Sequence, residues 1–223
     1  MWDKTEENIS IPATDMEHYA EHPDVIFVCV KGYSLQETIP FIKRIARKNT
    51  IVIPVLNIYG TGGKMQKELP DLLVTDGCIY VSANIKEPGK LLQHGQILHI
   101  VFGVRDKAEF RPELKEIQKD LCDSHIDGTL SENIRREALE KFSYVSPIGA
   151  AGLYYHATAA DFQKEGEARE LFKTMIKEIA ALAEAMGVPF QKDMAEVNLK
   201  ILSNLAPEAT TSCLLYTSDA ADD

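Results

Sequence analysis

The sequence predicts an α/β sheet domain followed by an all-α domain, with the boundary near residue 105. Two runs of β-branched and apolar residues, 24–30 and 50–56, are typical of parallel strands that helices bury on both faces. Apolar residues between these runs recur with helical spacing, which predicts a βαβ unit. From residue 106 onward the apolar spacing stays helical, so this part is predicted to contain helices alone.

Two further strand patterns, 78–85 and 97–104, flank the pair Pro88-Gly89, which is typical of a tight turn. We therefore expect all four strands to share one sheet, the later two as an antiparallel extension. A short helix is predicted at 64–73. The Gly-rich turn 60–63 before it could cradle a phosphate, but it lacks the spacing of a P-loop, which disfavours that role.

The second domain is predicted to contain four helices, at 111–124, 131–147, 171–186 and 193–205. Ser131 is the expected N-cap of the second of these helices. Gly187 and Pro189 follow the third helix in the order that is typical of a helix C-terminus.

Polar residues follow the first two predicted strands at equivalent positions. Lys31 comes after the first strand and Asn57 after the second. Taken singly, Lys31 can be a solvated residue that starts a helix, and Asn57 a turn former. Together they favour a ligand site, because open α/β sheets bind ligands at the carboxyl ends of their strands.

Lys141 is the informative residue of the helical domain. After it the sequence becomes apolar and small, through Gly152. A lysine at the start of such a stretch either extends its ammonium to the surface or lies in a cleft. In a cleft the ammonium can polarise a carbonyl group and donate a proton.

Composition argues against several classes of protein. The formal charge of −10 lies on helix faces of mixed sign, without a basic stripe for nucleic acid. No apolar stretch is long enough to span a membrane, and no signal peptide is visible, so we expect a cytoplasmic protein. The four cysteines are far apart, without metal-ligand or disulfide spacing, so we predict no metal site.

Both ends of the chain depart from a complete domain. No G-x-G-x-x-G loop precedes Asp24, so we expect that the first βαβ unit of the domain is missing. Residues 213–223 have no helical or strand period and resemble a translated sequencing adapter, so we expect a non-native tail. The alternative is a genuine, disordered acidic tail.

Six short motifs occur in an order and spacing that resemble the ketopantoate reductase (2-dehydropantoate 2-reductase) family over about residues 8–212. They are Val30-Lys31-Gly32-Tyr33, Leu56-Asn57-x-x-Gly60, the Pro88-Gly89 hairpin, Glu140-Lys141-Phe142, the Glu178 to Val188 segment and Ala209-Thr210-Thr211-Ser212.

The resemblance implies a partial Rossmann-type domain that binds NADPH (1–105) and a helical substrate domain (106–212). It implies reduction of a 2-oxo acid, 2-dehydropantoate, to pantoate in pantothenate biosynthesis. The matching family residues assign general-acid catalysis to Lys141, placement of nicotinamide and substrate to Asn57, cofactor contact to Lys31 and substrate contact to Ser212. A fixed ammonium would stabilise the negative charge that hydride addition creates on the carbonyl oxygen.

The chain also departs from the family pattern. Val145 and Gly149 stand where the family often has asparagines, and the acidic residue expected after Ser212 would fall in the tail. These differences leave two alternatives open: a related oxidoreductase that acts on another oxo or hydroxy acid, or a non-catalytic nucleotide-binding homologue. The sequence alone does not decide between NADP and NAD or give the oligomeric state. A homodimer is possible, and whether this polypeptide is active on its own stays open.

Overall fold

The predicted βαβ unit forms the first sheet of the structure, a computed structural model that describes residues 8–210. This sheet contains three parallel strands in the order β1-β2-β3. Its elements are β1 (Val25–Val28), α1 (Leu35–Ile45), β2 (Ile51–Pro54), α2 (Thr61–Glu68) and β3 (Leu73–Val74). The structure thereby differs from the predicted helix 64–73: Gly60 is the N-cap of α2, residues 61–63 form its first turn, and the helix ends at Glu68.

The central strand β2 is buried on both faces, which explains its continuous apolar sequence. Val52 points to one face and packs in the same core as Ile39 and Ile42 of α1. Ile51 and Ile53 point to the other face. Because side chains alternate along a strand, a strand covered on both sides needs apolar residues at every position.

The later strands form a second sheet, so the prediction of one sheet is wrong. This sheet contains β4 (Asp76–Glu87), β5 (Lys90–Gly103) and β6 (Asp127–Leu130), with β4 antiparallel and β6 parallel to β5. The backbone of Thr75 still donates to Val52 of β2 at 3.0 Å. Asp76 then pairs with Gly103 of β5, so the chain leaves the first sheet at this point.

Strand β6 was not predicted, because its sequence Asp-Gly-Thr-Leu has no strand pattern of its own. It is set by packing against α3 (Glu113–Asp123). A Cβ at Gly128 would lie 2.8 Å from the Cβ of Leu121 on α3, so glycine permits the close approach of strand and helix.

The chain divides into two compact units, Met1–Ile134 and Arg135–Asp223. This division comes later than the predicted boundary near residue 105. Helix α3 buries Leu114 and Ile117 in the same core as Phe102 of β5, and β6 pairs with β5. The change to helical spacing after residue 105 therefore marks a change of local structure inside the first unit.

The remaining helices are α4 (Ile134–Tyr155), α5 (Ala159–Gln163), α6 (Glu167–Ala185) and α7 (Met194–Ser203). Three of them match predicted helices, whereas α5 was not predicted. Helix α4 continues through Pro147 to Tyr155 and does not end near the proline. The core of this unit contains Phe162, Phe172, Ile176 and Leu202. Among the helices of residues 8–210, none has the length and apolarity needed to cross a membrane.

Asp193 caps the N-terminus of α7, and its removal should destabilise the helical unit. Its carboxylate accepts hydrogen bonds from the backbone of Ala195 at 2.9 Å and of Glu196 at 3.2 Å. We expect Asp193→Ala to lower the free energy of unfolding by about 1 kcal/mol, measured by urea denaturation. Asp193→Asn keeps a capping oxygen and is the control; an equal loss in both variants would contradict the capping role.

Candidate active site

Lys31 and Asn57 lie at the same edge of the first sheet, as the sequence predicts. Strands β1 and β2 are parallel and pair Val28 with Pro54, and each polar residue is the third after its strand's last residue. Both residues are exposed. The two loops also approach each other, since a Cβ at Gly32 would lie 2.5 Å from Cδ1 of Ile58.

The surface beside these two residues combines polar and apolar groups. Lys31 has an extended backbone and precedes one 3₁₀ turn, Gly32–Ser34, that leads into α1. Tyr33 is 85 % exposed, and Ile58 is also exposed. The edge therefore offers one ammonium, one amide that can donate and accept hydrogen bonds, and apolar surface for a planar group.

The N-terminus of α2 is already occupied by a protein carboxylate. Asp76 accepts backbone hydrogen bonds from Gly62 and Gly63, and the residue is 8 % exposed. Burial raises the pKa of Asp76, against the opposing effects of Arg105 and of these two N–H groups. These N–H groups have no acceptor within the helix and donate to Asp76 instead, so they do not form a phosphate cradle. The sequence disfavoured that role for the 60–63 turn, and the structure gives the reason.

Arg105 connects this cap to the first sheet. Its Nη1 lies 3.5 Å from Oδ1 of Asp76, and its Nη2 donates to the carbonyl oxygen of Val74 at 2.8 Å. The backbone of Val74 in turn donates to Oε1 of Gln66 on α2 at 3.0 Å. The network fixes the start of α2, directly after the loop that carries Asn57.

Lys141 lies within α4 and is 9 % exposed, which argues against a fully solvated surface lysine. The turn that carries it is held by hydrogen bonds: Oγ of Ser143 donates to the carbonyl oxygen of Glu140 at 2.6 Å. Burial raises the pKa of Glu140, against the opposing charge of Arg136 and with a smaller contribution from Glu137 in the same direction. Lys141 can therefore still have the role that the sequence predicts for a lysine in a cleft, which is to polarise a carbonyl group and donate a proton.

The structure brings together only part of the predicted site. Lys31 and Asn57 share a sheet edge in the first unit, whereas Lys141 belongs to the second unit. Ser212 and the tail 213–223 lie outside the described residues. Within residues 8–210, no group of three or more His, Cys, Asp or Glu side chains could hold a metal ion.

An α/β unit with polar groups at the carboxyl edge of its parallel strands, joined to a helical unit, has the fold of ketopantoate reductases. The family model "Ketopantoate reductase PanE/ApbA" matches residues 3–107, and its C-terminal counterpart matches residues 133–216. The two matches together cover most of the chain. The chain belongs to the ketopantoate reductase family.

Individual relatives are distant. The 2-dehydropantoate 2-reductase of Aquifex aeolicus (strain VF5) is 20 % identical over 195 residues, 87 % of this chain and 63 % of the relative. The crystal structure of 2-dehydropantoate 2-reductase from Methylococcus capsulatus matches with a TM-score of 0.78 at 18 % identity, over 92 % of this chain and 65 % of that one. The chain thus spans less than two thirds of these proteins.

Another similar structure is named for a different substrate. A ternary structure of D-mandelate dehydrogenase with NADH and anilino(oxo)acetate matches with a TM-score of 0.73 at 18 % identity, over 87 % of this chain and 62 % of that one. At such identities the likeness of the structures concerns the fold alone.

Proposed function

We propose that the protein is an NADPH-dependent 2-oxo acid reductase whose substrate is 2-dehydropantoate. The observation that carries the proposal is the pair Lys31 and Asn57, at equivalent positions after two adjacent parallel strands in a chain of this family. The Aquifex aeolicus relative described above is named 2-dehydropantoate 2-reductase, which supports this choice of substrate. The product would be pantoate, a precursor in pantothenate biosynthesis.

The residues present fit one part of a nicotinamide cofactor. Lys31 can bind an anionic group and Asn57 can hydrogen bond a carboxamide, while Tyr33 and Ile58 supply apolar surface for a ring. The start of α2 does not fit the pyrophosphate, because Asp76 occupies its N–H groups. When bound, the cofactor supplies the hydride, and Lys31 and Asn57 would hold its reactive end.

We assign the role of general acid to Lys141. As the carbonyl carbon of the substrate is reduced, negative charge develops on the carbonyl oxygen, and the ammonium of Lys141 would stabilise it and then donate a proton. Burial strengthens such an interaction, because water screens the charge less. Asn57 would orient the substrate, and Ser212 would contact it.

A related oxidoreductase acting on another oxo acid is the second candidate. Val145 and Gly149 on α4 offer no side-chain amide to a substrate, and a Cβ at Gly149 would meet no atom within 4 Å. The D-mandelate dehydrogenase among the relatives gives an example of a different substrate, with NADH.

The test is the oxidation of NADPH and of NADH by the protein that the complete gene encodes. The panel contains 2-dehydropantoate, phenylglyoxylate and smaller 2-oxo acids. Highest kcat/KM with 2-dehydropantoate and NADPH supports the first candidate, and preference for another acid supports the second. Absence of turnover with every acid, despite cofactor binding, would favour a non-catalytic nucleotide-binding homologue. Light scattering on the same sample would show whether the protein is a homodimer.

Lys31→Ala should weaken the binding of NADPH about tenfold, since a hydrogen bond or ion pair to a charged group is lost. Isothermal titration calorimetry measures this. Lys48→Ala is the matched control: Lys48 is an exposed lysine before β2, at the amino edge of the same sheet. Equal NADPH affinity of the Lys31→Ala and Lys48→Ala proteins would contradict a cofactor role for Lys31.

A further inference from the structure

Helix α4 contains a proline where its backbone should continue. Pro147 has no N–H group, so the carbonyl oxygen of the residue four positions earlier, Ser143, loses its donor within the helix. A buried carbonyl group without a donor is destabilising, and a helix normally kinks or ends at such a point. Ser143 is completely buried, so water does not supply the missing hydrogen bond.

Asn198 of α7 replaces the missing donor. Its Nδ2 donates to the carbonyl oxygen of Ser143 and to Oγ of Ser143, both at 3.1 Å. A carbonyl oxygen can only accept, which fixes the orientation of the Asn198 amide. Asn198 is 1 % exposed, although asparagine is mostly a surface residue. The position of this asparagine thus matches the defect that Pro147 creates.

The turn of α4 that Asn198 contacts, residues 140–143, is the one that carries Lys141. Oγ of Ser143 accepts from Asn198 and donates to the carbonyl oxygen of Glu140, so hydrogen bonds hold both ends of the turn 140–143. We propose that Asn198 is a positioning residue for Lys141: its side-chain amide substitutes for the N–H that Pro147 lacks and fixes the α4 turn on which Lys141 lies. The inference rests on the proposed function only for its catalytic consequence.

Acetylation of lysines by a water-soluble N-hydroxysuccinimide ester, quantified by peptide mass spectrometry, tests the positioning without an activity assay. In Asn198→Leu the labelling rate of Lys141, relative to exposed Lys119 of α3, should rise about tenfold, the effect of one lost hydrogen bond on a local opening. Asn204→Leu is the matched control, since Asn204 is an exposed asparagine at the end of α7. It should leave the Lys141 rate unchanged.

Pro147→Ala provides the decisive second variant. It restores an N–H at position 147, so in Asn198→Leu/Pro147→Ala the Lys141 rate should return to within about twofold of wild type. An unchanged Lys141 rate in Asn198→Leu, or a double variant labelled as fast as the single one, would overturn the inference. If Asn198→Leu alone does not fold, a folded double variant with the wild-type rate supports the inference, and a double variant that also fails to fold overturns it.

A kinetic experiment with the protein from the complete gene tests the catalytic consequence. There Asn198→Leu should lower kcat at least tenfold without changing KM for NADPH, and Pro147→Ala should restore kcat. A wild-type protein without reductase activity would refute the proposed function, while the labelling result would still decide the role of Asn198. An active enzyme in which Lys141 is labelled faster but kcat is unchanged would refute the catalytic consequence alone.

Discussion

Lys141→Ala should lower the turnover of a 2-oxo acid by about 10²–10⁴-fold, the usual effect of losing a positioned general acid. The affinity for NADPH should change little, because Lys31 and Asn57, the residues proposed to hold the cofactor, belong to the other compact unit. Steady-state kinetics with the protein from the complete gene, and calorimetric titration of NADPH, measure the two quantities.

Two further variants test whether the loss in Lys141→Ala comes from the missing proton donor, from the missing charge or from the removal of any lysine. Lys141→Arg keeps the positive charge but not a group that readily gives up a proton, so it should recover little of the lost turnover. Lys200→Ala removes an exposed lysine of α7 and should leave turnover unchanged. Wild-type turnover in Lys141→Ala would refute the general-acid role. Equal melting temperatures of wild type and Lys141→Ala would show that the variant loses turnover without losing its folded structure.

The first βαβ unit could be predicted because its signals are local. The apolar runs of β1 and β2 and the helical spacing of α1 each lie within a few residues of one another, and burial of both strand faces follows from them. The equivalent positions of Lys31 and Asn57 then follow from parallel pairing, since the carboxyl ends of both strands meet at one edge.

The features that sequence analysis missed depend on partners far along the chain. Strand β6 exists because it pairs with β5, and helix α4 passes Pro147 because Asn198 supplies the missing donor. No local pattern encodes either contact. The same cause explains why the prediction of a single sheet is wrong. Strands β4 and β5 have ordinary strand patterns, and only their pairing shows which sheet they join.

The contact between buried Asp76 and half-buried Arg105 was also invisible in the sequence, although it determines what the N-terminus of α2 binds. The motif Gly-Thr-Gly-Gly at 60–63 is rich enough in glycine to cradle a phosphate, although it lacks the spacing of a P-loop. In the structure the bound anion is the carboxylate of Asp76, which lies at the start of β4. Gly62 permits this carboxylate and the carbonyl oxygen of Thr75 to approach the helix backbone closely.

Gly62→Ala should therefore be the most destabilising substitution among these glycines. A Cβ at Gly62 would lie 2.0 Å from the carbonyl oxygen of Thr75 and 2.3 Å from Oδ1 of Asp76. One contact is to backbone and the other to a buried, paired carboxylate, so relief of the clash must displace β4 or separate Asp76 from Arg105. We expect the free energy of unfolding to fall by about 2–4 kcal/mol.

Gly63→Ala is the matched control, because it adds the same methyl group one residue later in the same helix. The nearest atom to its Cβ would be Cδ of Arg105 at 3.9 Å, and alanine has the higher helix propensity, so stability should stay equal or rise slightly. Thermal denaturation should separate the two variants by roughly 5–15 °C. Equal melting temperatures would show that α2 can move away from Asp76, and that the cap does not fix the helix that follows Asn57.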